Sequence, residues 1–115
     1  MRPDAEEILG LVLARLDDMK AEDTLTIDLR DKSSIGDYMV VASGRSQRHV
    51  GSVADRIVED LHQVGVAARV EGFPHCDWVL IDAIDVIVHV FRPEVRTFYN
   101  LEKMWMASRP ERRAS

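Results

Sequence analysis

Between Asp4 and about Glu22, Ile8, Leu9, Val12, Leu16 and Met19 recur at steps of one, three, four and three, the stripe of one helix face. Thr24–Leu29 then alternates polar with apolar and predicts a half-buried strand, closed by the polar stretch Arg30–Ser34. Tyr38–Ala42 is apolar throughout and reads as a strand buried on both faces. A second helix is expected from Val50, Val53, Ala54, Ile57, Val58 and Leu61, with Ser46 to cap its start and Gly65 to end it. Val66–Val70 predicts a third strand, Glu71–His75 a Gly/Pro loop, and Trp78–Ile81 and Val86–Phe91 strands four and five. After Pro93, the spacing of Val95, Phe98, Leu101 and Trp105 marks a last helix. The order α-β-β-α-β-β-β-α calls for a single α/β domain over residues 1–107. Its five-stranded sheet should be mixed and covered by helices on at least one face, with 108–115 as a frayed tail.

Length and composition narrow the classes. A chain of 115 residues supports one core, a lone Cys76 excludes a disulfide scaffold, and no apolar run reaches the roughly 20 residues of a spanning helix. Nothing after Met1 resembles a secretory segment, so a cytoplasmic location without membrane contact is expected. The net charge is −5, and the first 37 residues hold ten acids against five bases. That acidic balance argues against a primary nucleic-acid contact, which needs a basic face to release phosphate counterions, and favours a basic protein partner.

The most informative stretch is Asp77–Phe91. If Ala83-Ile84 is a two-residue hairpin connection, Asp82 faces Asp85, Leu80 faces Ile87 and Trp78 faces His89. One face then carries Val79, Ile81, Val86 and Val88 and belongs against the helices. The other carries Trp78, Leu80 and Ile87, rimmed by His89, Asp82 and Asp85. An apolar centre with a Trp and an acidic rim has the composition of a docking patch for a basic protein. The alternative is that another element covers this face and makes Trp78 a core residue.

Other chemistry is less well supported. Asp77, Asp82 and Asp85 could hold magnesium for phosphoryl transfer, but Asp82 and Asp85 bracket a turn, where Asp serves the backbone. Ser43–Ser46 could cradle a phosphate, yet without a Walker lysine it reads as a helix cap. His75 and Cys76 are adjacent and would point apart in a strand, so they do not converge with His89 on one site. Arg45, Arg48 and His49 read as a solvated helix end. No cofactor is expected, and a metal-dependent nucleotidyl or phosphoryl transferase using Asp82 and Asp85 is the competing reading.

Six motifs in order carry a family resemblance: Asp17–Ala21, Asp31–Tyr38, Ser43–Val50, Asp77–Asp82, Asp85–Phe91 and Phe98–Trp105. Together they resemble the ribosomal silencing factor family, also called Iojap-related. The resemblance implies a nucleotidyltransferase-like fold without transferase chemistry, a homodimer, and a translational repressor. Such a protein would bind ribosomal protein fourteen of the large subunit and block subunit joining. It maps family contacts onto Trp78 and Tyr99, and a third, commonly a larger apolar residue, onto Ala83. With the patch residues Leu80, Asp82 and Ile87 these make up the expected partner-binding set. Ile84 stands where the family usually has Gly.

Overall fold

A computed structural model of the chain describes residues 3–31, 36–72 and 77–94. Helix α1 (Ala5–Asp18) starts at a capping box, in which the Asp4 carboxylate accepts the Glu7 N–H at 2.9 Å and Glu7 accepts the Asp4 N–H at 3.0 Å. It buries Ile8, Val12 and Leu16. The helix stops four residues short of the expected Glu22, because Lys20 adopts positive φ and turns the chain into strand β1 (Glu22–Asp28), whose own register shifts at positive-φ Asp23. Strand β2 (Tyr38–Ser43) is buried at every residue. Helix α2 (Gln47–Gln63) is capped by Ser46, whose hydroxyl accepts the His49 N–H at 3.1 Å, and it ends where Gly65 takes φ +90°.

Strand β3 (Arg69–Glu71) is shorter and later than the expected Val66–Val70. Val66 is apolar for another reason: its N–H closes the end of α2 on the Leu61 carbonyl at 2.8 Å, and its side chain fills the helix-side core. Strands β4 (Trp78–Asp82) and β5 (Val86–Phe91) complete a five-stranded sheet of order β1-β2-β5-β4-β3. Only the central pair, β2 with β5, is parallel among these pairings; the others are antiparallel, so the sheet is mixed as the element order required. The last helix expected from Val95 onward lies outside the described residues.

Both helices pack on one face. Ile8, Val12 and Leu16 of α1 and Val50, Val53, Ile57 and Leu61 of α2 meet Val40, Val79, Ile81, Val86 and Val88 of the sheet. Each such fully buried side chain contributes roughly 1.5–3 kcal/mol. Asp60 locks the helix pair: its carboxylate accepts from Arg15 on α1 and, at 3.0 Å, from Arg56 on α2. His49 makes a second joint, with Nδ1 accepting the Arg45 N–H at 2.9 Å and Nε2 meeting the Met19 carbonyl at 2.7 Å. Because Nδ1 must accept, the ring carries its proton on Nε2 and donates it to Met19. The basic group at the start of α2 therefore belongs partly to the architecture.

The β4–β5 register differs from the expected one by two residues. Trp78 lies opposite Phe91, Leu80 opposite His89 and Asp82 opposite Ile87. The tip of the connection moves one residue along, to Ile84-Asp85, and the Asp85 carbonyl is turned toward β2, where it accepts the Asp37 N–H at 2.7 Å and the Tyr38 N–H at 3.1 Å. The turn closes instead through Ala83 N–H to the Val86 carbonyl at 2.9 Å and Ile84 N–H to Asp82 Oδ1 at 2.9 Å. A shift of two preserves the side of every residue, so the division into faces stands while each partner changes.

Candidate functional site

The face turned away from the helices is built in cross-strand rows. One row runs Ile27, Met39, Ile87, Asp82, Arg69 across all five strands; the next runs Leu25, Val41, His89, Leu80, Glu71; a third joins Ser43, Phe91 and Trp78. The β1–β2–β5 side of these rows is closed, with Ile27, Leu29, Met39, Val41 and Phe91 forming a second buried cluster. Toward β4 and β3 the rows open: Trp78, Leu80 and Asp82 are half-buried, and Arg69 and Glu71 are exposed.

Trp78 is held by three contacts of defined geometry. Its indole stacks on Phe91 with ring centroids 5.3 Å apart and lies 5.9 Å from the His89 ring, while its Nε1–H donates to His89 Nδ1 at 3.0 Å. Indole nitrogen can only donate, so His89 Nδ1 is unprotonated and the imidazole is neutral. Burial acts the same way: His89 is 7% exposed and desolvation pushes its pKa down to about 4. Phe91 was identifiable in the sequence as part of this face, since it shares parity with Ile87 and His89; its place directly under Trp78 depended on the register.

Gly72 lets β3 approach this tryptophan. It has φ +107°, and a Cβ there would overlap the Trp78 carbonyl oxygen. The resulting depression, about 280 Å³, has Glu71, Gly72, Trp78 and Leu80 in its walls. Glu71 and Gly72 are not legible in the sequence, where the Gly/Pro pattern of Glu71–His75 predicts a loop. Below the depression, Asp77 anchors the start of β4: Gln47 Nε2 donates to its carboxylate at 2.9 Å, Arg92 Nε lies 3.0 Å from the same oxygen, and Arg92 N–H donates to its carbonyl at 2.9 Å.

The expected partner-binding residues separate by side. Trp78, Leu80, Asp82 and Ile87 share the face, Ile87 being buried within it. Ala83 is 0% exposed in the helix-facing core, so its side chain has no route to a partner on the Trp78 face. Tyr99 lies outside the described residues. Ile84 is 52% exposed with φ +73°, a left-handed conformation that costs a β-branched residue on the order of 1–2 kcal/mol. Asp77, Asp82 and Asp85 are spread between a strand base and a turn, and Asp82 Oδ1 is engaged by the Ile84 N–H. Among the described residues, no three His, Cys, Asp or Glu side chains gather as metal ligands, and no helix is long and apolar enough to cross a membrane.

Comparison with known proteins gives this face its context. The family model described as "Ribosomal silencing factor during starvation" matches residues 2–115. The chain belongs to the ribosomal silencing factor family. A Zymomonas mobilis ribosomal silencing factor RsfS is 52% identical over 103 residues, 89% of this chain and 77% of that protein. The Bacillus subtilis RsfS is 39% identical over 101 residues, 87% of this chain and 86% of that one. A crystal structure of a Chromobacterium violaceum protein superposes with a TM-score of 0.87 at 34% identity, covering 98% of this chain and 95% of that one. The mixed-sheet architecture is thus also that of a solved structure similar to this silencing factor family member.

Proposed function

We propose that this protein is a translational repressor that binds the large ribosomal subunit through ribosomal protein fourteen and blocks joining of the small subunit. Membership of the ribosomal silencing factor family supports the ribosome as target. The observation that carries the docking site is Trp78, half-buried and oriented by Phe91 and His89 beside an open depression bordered by Glu71 and Leu80. A large aromatic side chain fixed in place before binding loses little entropy on contact, which is the character of an interface anchor. The acids nearby suit a ribosomal protein rich in Lys and Arg.

In this reading Trp78, Leu80 and Asp82 touch the partner, with Tyr99 joining them as the family resemblance implies. Ile87 supports the face from beneath, and Ala83 acts through the core that holds the turn. The protein works by occupying a surface, without turnover or a cofactor, in the cytoplasm and as a homodimer.

Binding of purified large subunits by the wild-type protein and Trp78→Ala tests the site, with circular dichroism to establish folding. Truncation of a central anchor tryptophan costs about 2 kcal/mol or more, so affinity should fall roughly thirty-fold. Wild-type affinity in a folded Trp78→Ala protein would reject the assignment.

A further inference from the structure

We propose that Ile84, at the tip of the β4–β5 turn, is a partner-contact and specificity-determining residue of the same docking surface. This rests on the docking face proposed above and extends it beyond the sheet. Two observations meet at this position. Ile84 holds φ +73°, a region that β-branched residues rarely adopt and glycine enters freely. It is also 52% exposed, so the conformation returns only about half of the side chain's burial to the fold. A residue held in an unfavourable backbone conformation and left half in water contributes little to folding, and strain of this kind collects at recognition sites.

The conformation is over-determined by its surroundings. Asp82 Oδ1 accepts the Ile84 N–H at 2.9 Å, the Asp85 N–H donates to the Ala83 carbonyl at 2.8 Å, and the Asp85 carbonyl is held by the Asp37 and Tyr38 N–H groups. The turn is therefore fixed before any partner arrives, and the isoleucine is presented in one backbone conformation. Trp78 and Asp82 mark the two ends of β4, about 13 Å apart at strand rise, so the turn falls within the roughly 800 Å² that each partner contributes to a standard interface. Asp82 and Asp85 flank the isoleucine in the turn. The occupant that fits is the same basic protein surface, offering an apolar spot between Lys or Arg side chains. With Ala83 buried on the other side, Ile84 supplies the apolar contact at this end of the face.

The test measures large-subunit affinity and thermal stability of Ile84→Gly and Ile84→Asn, with Trp78→Ala beside them. Both replacements tolerate the left-handed conformation and delete the apolar side chain. Ile84→Gly should bind about five-fold more weakly, since the exposed half of an isoleucine no longer leaves water on binding. Its melting temperature should rise by about 3–5 °C as the strain is relieved. Ile84→Asn should weaken binding to a similar degree. Weaker binding by a more stable protein is an outcome that a purely structural role cannot give. Unchanged affinity in both variants, with Trp78→Ala impaired, would overturn the role of Ile84 alone, as would weaker binding that tracks a loss of stability. Unchanged affinity in Trp78→Ala would instead reject the docking face on which the inference stands.

Discussion

The Nε1–H of Trp78 donates to Nδ1 of His89, so the residue that orients the proposed anchor can do so only while its imidazole is neutral. Protonation would set two donors against each other in a buried site. The half-buried indole is thereby tied to one of the most buried polar groups of the face.

A pH dependence of stability follows. The folded-state pKa of His89 is lowered to about 4, against 6.5 in the unfolded chain. Between these values the unfolded state binds the extra proton, so stability from this site is complete above about pH 6.5 and is lost as pH falls toward 4. At pH 5 the loss should be about 2 kcal/mol relative to pH 7.5. Urea unfolding at both pH values checks this, and His89→Gln, which keeps an acceptor for the indole, should lack that part of the difference.

Gly72→Ala should destabilise the protein by about 2–4 kcal/mol, because it combines an unfavourable φ with overlap on the Trp78 carbonyl. Thermal denaturation measures the loss. Quenching of Trp78 fluorescence should also change, since the backbone beside the indole must move.

Asp60→Asn should lower the melting temperature by loosening α1 against α2. The hydrogen bond from Arg15, followed by that from Arg56, lowers the Asp60 pKa. Its carboxylate therefore contributes stability that is full above the unfolded value near 3.8 and disappears as pH drops through the folded one. Wild type and Asp60→Asn should accordingly converge in melting temperature at the acid end of a pH series.

The division of β4 and β5 into two faces was legible because a period of two survives any even register shift, whereas the central place of β5 was not. Their pairing was not legible. It depended on the Asp85 carbonyl turning toward β2 and on a left-handed Ile84, neither of which isoleucine or aspartate announces in sequence. Val66 misled for a related reason: an apolar residue after a helix can serve the helix end and the core without joining a strand. At the candidate site, Trp78 and Leu80 came from alternation. Gly72 and Glu71 were missed because their role arises from the approach of β3 to β4.

Association with large subunits should slow several-fold as salt rises, while dissociation changes little, because screening over a Debye length of about 8 Å weakens steering and leaves the apolar anchor intact. Glu71→Lys is the suitable probe: Glu71 is exposed and borders the depression, whereas Asp82 also caps the turn and its replacement would disturb the backbone. This variant should slow association further. Steep salt-dependent binding to naked ribosomal RNA, with none to ribosomal protein fourteen, would reject the steering mechanism.

The placement of β5 between β2 and β4 sets when during synthesis the proposed docking face can first exist. The strand made last among the five is the one that joins the β1–β2 and β4–β3 pairs, and it carries His89 and Phe91, the two groups that orient Trp78. A nascent chain whose Phe91 is still inside the exit tunnel has the tryptophan but no sheet to mount it on. The proposed docking face is therefore complete only once the central strand has emerged and closed the sheet.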